Sequence, residues 1–344
     1  MYKKYKLNHS LILSVTGILI LGCESGQFSS IDMSSRPPKM RAQQVLLRAF
    51  SDSDAVVRSA AIEVVSTTDN LSLMPNVWRL FADPVVPVRF QALLAAGDLR
   101  YSPALGDIQR IFNNQQEDTN VRMAAAYALY RMGGSRYADY YFSQINSENP
   151  TVRANAALLI GKGGHPNGLK LLEWALNDKQ SDDKVRIQAM ESMAMLGDTH
   201  IYEKIWTRLI SVYADDRITG VKAMGSLGTQ QAMAALFTML DDDVPEVRLV
   251  AAEQLGKLGD RRGEPYVRDI LSKSIEGEPA DQVRIKILAA MAIGEIGSDK
   301  LAGFLPRLLN DPSTMVQLAA AKAVYRSSQD RSSPGDQPTY SQLF

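Results

Sequence analysis

The chain has 344 residues, of which 45% are hydrophobic, 22% charged and only 7% aromatic, and its formal net charge is zero. These values are typical of a folded soluble protein, and apolar residues drawn mainly from alanine, leucine and methionine favour helices. One cysteine excludes an intramolecular disulfide framework and a cysteine-rich metal site, and three histidines leave little material for metal or acid–base chemistry.

The N-terminus, residues 1–22, predicts a secretory signal. Three lysines and no acid precede an almost wholly apolar run, Leu11 to Gly22. As a helix this run would be about 18 Å long, too short for the ~30 Å hydrocarbon core of a bilayer. The run ends in Leu-Gly-Cys and resembles a bacterial lipoprotein signal, which implies that Cys23 is lipidated and becomes the mature N-terminus. An uncleaved anchor, or an ordinary signal beside an incidental cysteine, are the alternatives.

The lipoprotein resemblance also implies a cellular location. It places the chain in a bacterial cell envelope, lipid-anchored in the membrane, and Glu24 in place of aspartate indicates the outer membrane facing the periplasm. Cleavage would remove three of 38 basic residues and no acidic one, leaving a net charge of about −3. That balance argues against nucleic acid as a partner, because nucleic-acid surfaces need clustered positive charge.

Polar segments flank the central part of the chain. Residues 23–39 are rich in serine and end in prolines, which predicts a flexible tether. Residues 327–344 are polar and predict a disordered tail. The folded part is therefore expected to span residues 40–326.

A Val-Arg motif followed by alanine recurs along that central part, and five of its eight intervals are 31 residues long. Such a period indicates a repeat array. A small residue stands three positions after the basic anchor and a larger apolar one seven positions after it, so both lie on one helical face. The anchors are Arg58, Arg89, Arg122, Arg153, Arg186, Arg217 and Arg248, followed by Lys286 and Gln317 in the last two repeats.

The ends of the repeated helix also have a signature. In six repeats a glycine stands eleven residues after the anchor, which predicts a helix end with positive φ. Asp69 and Arg100 replace it in the first two repeats. A shorter apolar-periodic run precedes each anchor, and aspartates such as Asp83 and Asp242, six residues before their anchors, are expected to cap the second helix. Each unit therefore reads as helix, turn, helix, turn.

These motifs resemble the HEAT repeat class, specifically the short repeats of about 31 residues found in phycobilisome lyase subunits. The resemblance covers Met40 to Arg326 and implies an all-α fold, a right-handed α-solenoid of about nine helical pairs. It also implies a structural ladder of aspartates and the anchor arginines, with Asp83 beside Arg89 and Asp242 beside Arg248. We assign all seven anchor arginines to this ladder.

The repeats lack the side-chain combinations that metal binding or catalysis would need. The iron-binding His-Glu pairs of the HEAT-repeat hydroxylases are absent, since His165 precedes Pro166 and His200 precedes Ile201. The run Asp241–Asp243 lacks the alternating ligands of a calcium loop. We therefore expect no catalytic residue, no cofactor and no metal, and predict that the chain is not an enzyme.

What remains is a surface for a partner. Helical geometry places offsets two, five and nine from the anchor on the concave side, in a region dense in tyrosine and arginine, which are favoured at interfaces. The alternative is that the tyrosines fill gaps between helices. The candidate partner-binding residues are Gln91, Leu94, Tyr127, Arg131, Asn155, Leu158 and Lys162. The predicted function is a non-catalytic, membrane-tethered scaffold for a protein or peptide partner. The alternatives are an accessory factor of an envelope enzyme or secretion system, or a lyase-like enzyme.

Overall fold

A computed structural model describes residues 36–165 and 167–328 of the chain. The predictions that concern the signal, Cys23, most of the tether and nearly all of the tail lie outside these residues. Within them every regular element is helical, and no strand occurs. The all-α fold predicted from the repeat is therefore confirmed.

The helices alternate between a first and a second helix of each repeat, in nine pairs within the described residues. The second helices carry the Val-Arg motif and are α2 (Ala55–Thr67), α4 (Val86–Asp98), α6 (Thr119–Arg131), α8 (Pro150–Gly163), α10 (Asp183–Met195), α12 (Ala214–Leu227), α14 (Pro245–Lys257), α16 (Pro279–Ile296) and α19 (Thr314–Ser327). The first helices are shorter, and several are flanked by 3-10 turns. They are α1 (Pro38–Ala49), α3 (Met74–Arg79), α5 (Leu105–Asn113), α7 (Ala138–Ser143), α9 (Gly168–Asn177), α11 (Tyr202–Leu209), α13 (Gln230–Thr238), α15 (Glu264–Ser272) and the split pair α17 (Asp299–Ala302) and α18 (Leu305–Leu308).

The second helices end where the glycine pattern predicts. All six glycines at that position have positive φ, between 60° and 102°. Asp69 and Arg100 adopt the same left-handed conformation, with φ of 49° and 47°. The backbone geometry of the turn is therefore kept in the first two repeats, although a side chain makes it costlier there.

Consecutive second helices pack against one another and form the inner layer, while the first helices cover them from outside. Their close approach depends on glycine at eight residues after the anchor. A Cβ added at Gly97 would lie 2.8 Å from the Cα of Ala128, and one added at Gly294 would lie 2.8 Å from the Cα of Ala323. The small residue predicted three positions after the anchor is thus only part of the contact surface.

The array closes on itself. Helix α19 packs not only on α16 but also on α1 and α2, so the last repeat contacts the first. Lys322 on α19 lies 3.5 Å from Glu63 on α2. The solenoid is confirmed, and its terminal repeats do not cap an open stack. They cover each other instead.

The ladder arginines link neighbouring repeats in a different pairing from the one the resemblance implies. Arg89 donates to the backbone carbonyl of Asp83, at 2.8 Å, while the Asp83 carboxylate pairs with Arg58 of the preceding repeat. Arg217 reaches Asp242 in the same way, at 2.7 Å, and Arg153 reaches Asp178. The expected partners are therefore shifted by one repeat.

The remaining ladder residues have mainly backbone partners. Arg122 donates to the Phe112 carbonyl, Arg186 to the Asp178 carbonyl and Arg248 to the Asp242 carbonyl. The aspartates six residues before the anchor do not cap the second helices either. Each accepts the N–H two residues further on, as Asp83 does from Val85 at 2.9 Å, and so shapes the turn that precedes the helix.

Candidate functional site

A polar cluster on the inner layer brings together four of its helices. The Tyr127 hydroxyl donates to Asp98 at 2.7 Å, and the Ser66 hydroxyl donates to the other carboxylate oxygen at 2.9 Å. Lys162 Nζ lies 3.1 Å from that second oxygen. Arg131 donates to the Tyr127 hydroxyl at 3.0 Å and to the Lys162 carbonyl at 3.3 Å. Asp98 is therefore the centre of a network that joins α2, α4, α6 and α8.

The structure buries two of the seven predicted partner-binding residues in this packing and leaves the other five partly exposed. Tyr127 is fully buried and Leu94 is nearly so, which corrects their assignment to an open surface. The reason is that the neighbouring second helices press against their face of the helix. Gln91 and Leu158 are only partly exposed, and Asn155 donates to Asn120 at 2.9 Å.

The tyrosines of this region fill gaps between helices, as the alternative interpretation held. Tyr141 is fully buried, with ring centroids 6.4 Å from Tyr127 and 6.3 Å from Tyr130. Burial raises the pKa of Tyr141 far above its usual value, and its hydroxyl has no hydrogen-bond partner among the described residues. The ring of Tyr140 packs against the Arg122 guanidinium, whose central carbon lies 4.8 Å from the ring centroid.

A buried carboxyl group stands on the opposite part of the inner layer. Glu253 on α14 is 7% exposed. Burial raises its pKa; Lys322, Lys222 and Lys257 oppose that rise without cancelling it, and Glu295 adds to it. Among the described residues Glu253 has no hydrogen bond or ion pair. An unpaired charge at this depth is costly, so the neutral acid is favoured.

The donor set does not fit the two irons of the hydroxylase class. Within the described residues no group of three or more His, Cys, Asp or Glu side chains could hold a metal ion. His200 is almost fully exposed and lies 3.1 Å from Asp198, while His165 packs its ring against Phe142 at 4.9 Å. Neither histidine faces a carboxylate pair, so no metal-dependent step follows from these residues.

The outer layer carries a feature that the sequence analysis missed, which we call the outer aromatic strip. Three successive first helices expose Trp174, Trp206 and Phe237, and the turn after α11 exposes Ile210, Val212 and Tyr213 at 66%, 80% and 69%. Lys204 on α11 donates to Asn177 on α9 at 3.0 Å, so these helices are direct neighbours. A signal existed, since Trp206 and Phe237 both stand eleven residues before their anchors.

Neighbouring side chains pack against the aromatic rings of the strip and restrict their movement. The Tyr202 ring stacks on Trp206 with centroids 6.2 Å apart. The Arg262 guanidinium lies 4.2 Å from the Phe237 centroid, and that of Arg153 lies 5.3 Å from the Trp174 ring. Helix α13 has no charged residue along its length. No helix in the described residues is long and apolar enough to span a bilayer.

Comparisons with known proteins agree with the repeat. A family model for HEAT repeats matches residues 141–216 and 208–292, and a model for the HEAT repeat associated with sister chromatid cohesion matches residues 30–65. The chain is 23% identical over 255 residues to deoxyhypusine hydroxylase of Drosophila melanogaster, covering 67% of this chain and 82% of that protein. It is 26% identical over 211 residues to phycocyanobilin lyase subunit alpha of a Picosynechococcus species, covering 55% and 76%.

Two solved structures are similar at low sequence identity. Human deoxyhypusine hydroxylase in complex with glycerol aligns with a TM-score of 0.33 at 14% identity, covering 84% of this chain and 96% of that one. The complex of CpcE and CpcF of phycocyanin lyase from Nostoc sp. PCC7120 aligns with a TM-score of 0.40 at 14% identity, covering 73% and 94%.

These relatives correct one prediction and confirm another. The prediction that the chain is not an enzyme is contradicted, because the curated relatives are a hydroxylase and a lyase subunit, and it is wrong as it was stated. The resemblance to the repeats of the lyase subunits is confirmed by the sequence match to one of them. With its nine helical pairs and the matches of both family models, the chain is a HEAT-repeat protein.

Proposed function

We propose that this chain binds a protein or peptide partner through the outer aromatic strip. The observation that carries the proposal is the exposure of six large apolar side chains, three on neighbouring first helices and three in the turn after α11. Large exposed apolar surfaces on folded proteins commonly mark sites of interaction with a protein partner or a membrane. Tryptophan and tyrosine are also the side chains on which binding energy is most often concentrated.

The strip is better suited to a partner than the inner cluster. Asp98 and Lys162 are already engaged with each other and with neighbouring helices, so a partner there would have to replace existing bonds. At the strip, Trp206 and Phe237 are fixed by Tyr202 and Arg262, which lowers the entropy lost when a partner orders them.

The test is affinity capture of the intact chain from extracts of its own source, with quantification of every co-purifying protein. The variant combines Trp206→Ala with Phe237→Ala. The matched control combines Leu47→Ala with Leu71→Ala, which removes two comparably exposed apolar side chains from the first two repeats. Loss of hot-spot residues costs about 2 kcal/mol or more, so the strip variant should retain less than about a tenth of the partner.

The control variant should capture the partner as the unchanged chain does. Circular dichroism of both variants checks that the helices are intact. If the strip variant and the control retain equal amounts of the partner, the strip does not carry the interaction and the proposal fails.

An enzymatic role is the second candidate, and the curated relatives favour it. A lyase-like or hydroxylase-like activity would be sought by assaying the purified chain for bilin attachment and for hydroxylation of deoxyhypusine. An Asp98→Asn variant would show whether the inner cluster takes part. Equal activity in this variant and in the unchanged chain would remove the cluster from consideration.

We also propose that Cys23 tethers the scaffold to the bacterial envelope, as the lipoprotein resemblance implies. The test is membrane fractionation after Cys23→Ser, with mass spectrometry of the mature N-terminus. The unchanged chain should carry acyl chains at that residue and sediment with membranes. A Cys23→Ser chain that stays fully membrane-bound, with unchanged processing, would contradict the tether.

A further inference from the structure

The contact between the first and last repeats differs from every other contact between neighbouring repeats, because no turn of the chain crosses it. Here α1 and α2 lie against α19, and we call this contact the seam. The other neighbours are joined by a turn as well as by packing. The seam depends on non-covalent contacts alone, so it can separate while the other repeats stay packed. The helices uncovered there then lose the packing that keeps them from fraying, because short unpacked helices are only marginally stable in water.

Helix α1 packs in an unusual way. Helices α9 and α11 rest mainly on the second helix of their own repeat, α10 and α12, while α7 and α13 contact the second helices on both sides. Helix α1 instead packs chiefly on α19 and meets α2 only slightly. Its buried apolar face consists of Ala42, Val45, Leu46 and Ala49. In structural terms α1 belongs to the last repeat, although it begins the first.

One buried arginine joins the outer layer across the seam. Arg41 is 5% exposed, and its guanidinium donates to the carbonyl of Pro306 at 3.1 Å and to Asn310 at 2.5 Å. Both partners lie at the α18 end of the ninth repeat. Below them Lys322 and Glu63 are 3.5 Å apart, a long contact for an ion pair.

The seam lacks the charged bridge that joins the first two repeats. There Arg58 forks onto the carboxylate of Asp83 in the next turn. At the seam the anchor position holds Gln317, which donates to the carbonyl of Asp311 in its own turn. Among the described residues the Asp52 carboxylate accepts only the N–H of Asp54. The inner helices at the seam are joined instead by the long Lys322–Glu63 contact and by a polar contact between Tyr325 and Asn70.

We infer that α1 is a releasable strap, and that the closed array opens at the seam while the other repeats stay packed. Opening uncovers the apolar faces of α1 and α19 together. The first and last repeats then become free ends, and the inner layer becomes accessible from the side. The inference does not depend on the partner or on the strip, so either can fail without the other.

Hydrogen exchange of the full chain tests the strap. Amides of α1 and α19 should exchange at least about tenfold faster than those of α6, because local opening needs less free energy than global unfolding. The variant Arg41→Ala should raise exchange in α1 and α19 by about tenfold and leave α6 unchanged, since a buried hydrogen-bonded charge is lost. The control is Arg48→Ala on the exposed face of α1, whose side chain, among the described residues, bonds only to the Gln44 carbonyl.

A lock keeps the test decisive if Arg41→Ala lowers the stability of the whole fold. In a Cys23→Ser background, Glu63→Cys and Lys322→Cys are joined by a short bis-maleimide. The lock should slow exchange in α19 to the rate of α6. Equal exchange of α1, α19 and α6 in the unchanged chain, or no change on locking, would overturn the strap.

Discussion

Arg58 forms a two-pronged ion pair with Asp83, which lies 25 residues further along the chain in the next repeat. Its Nε is 2.7 Å from one carboxylate oxygen and its Nη2 is 2.9 Å from the other. The same guanidinium donates to the Asp52 carbonyl at 2.8 Å. One side chain therefore joins two consecutive turns.

Replacing that arginine should destabilise the fold strongly. Arg58→Ala leaves Asp83 buried without its partner, which costs about 3 kcal/mol in the free energy of unfolding. Lysine at this position cannot fork, so Arg58→Lys should recover only part of the loss. Urea denaturation measures both. Arg110→Ala, which removes an exposed ion pair with Asp107, is the control and should cost less than about 0.5 kcal/mol. Equal losses at Arg58 and Arg110 would contradict the bridge.

The Arg58–Asp83 pair also makes the folding stability depend on pH. Burial alone would raise the pKa of Asp83, but the hydrogen bonds from Arg58 and from the Val85 N–H outweigh it and hold the pKa below its usual value. The stabilisation is therefore present above the pKa of the unfolded chain and is lost as pH falls through the folded value. Asp83→Asn should flatten the fall in melting temperature between about pH 5 and pH 3. An unchanged slope would contradict this account.

Glu253 should behave in the opposite sense. Its pKa is raised by burial, with lysines on α12, α14 and α19 opposing the rise and Glu295 adding to it. Stability from this group is full below the unfolded pKa and is lost as pH rises through the folded value. Glu253→Gln should therefore gain about 1 kcal/mol at pH 8 and nothing at pH 4. Glu246→Gln, on the same helix, serves as the control, and a loss of stability at pH 8 would refute the prediction.

Close packing of the inner layer should be sensitive to a single methyl group. A Cβ at Gly256 would lie 2.7 Å from the backbone nitrogen of Ile296, which cannot move independently of α16. Gly256→Ala should cost about 1–3 kcal/mol. Gly106→Ala is the matched control, because nothing lies within 4 Å of its added Cβ, and it should be neutral or slightly stabilising. Thermal unfolding of the two variants compares them directly.

The left-handed turn at Arg100 offers a stabilising change. Arg100 is exposed and has φ of 47°, whereas glycine stands at the equivalent position in six later repeats. Arg100→Gly should relieve the steric cost and raise stability by about 0.5–1 kcal/mol. The reverse change, Gly197→Ala at φ of 77° with free space around it, should lose about 1 kcal/mol. Opposite signs are required, and a loss at both positions would rule out the backbone explanation.

The repeat could be predicted because its signals are local. The basic anchor and the small residue three positions on lie in one helix, and the glycine eleven positions on lies in the turn that ends it, so periodicity alone located the second helices and their ends. The site could not be found in that way. Tyr127 meets Asp98 across 29 residues, and its burial depends on how closely adjacent helices approach. The glycines eight positions after the anchor were the sequence signal for close helix–helix packing, and the sequence analysis did not use them.

Closure could not be predicted for a related reason. The angle between consecutive repeats arises from packing at many contacts, and small differences add up around the array. No single repeat therefore indicates whether the last one will reach the first. Gln317 in place of the basic anchor indicated that the last repeat is atypical. The same residue would suit a last repeat that faces solvent and one that packs on the first repeat.

The position of α1 beside the ninth repeat also has a consequence for the order of folding. Most contacts between neighbouring repeats join residues only about thirty positions apart, and such local contacts form quickly. Arg41 and Asn310 are separated by 269 positions, so their contact carries the entropy cost of joining distant parts of the chain. That cost is small only after the intervening repeats have formed and curved. We therefore expect the closing contact to form last, in a slow phase that follows the helical signal, and a newly made chain to pass through an open intermediate.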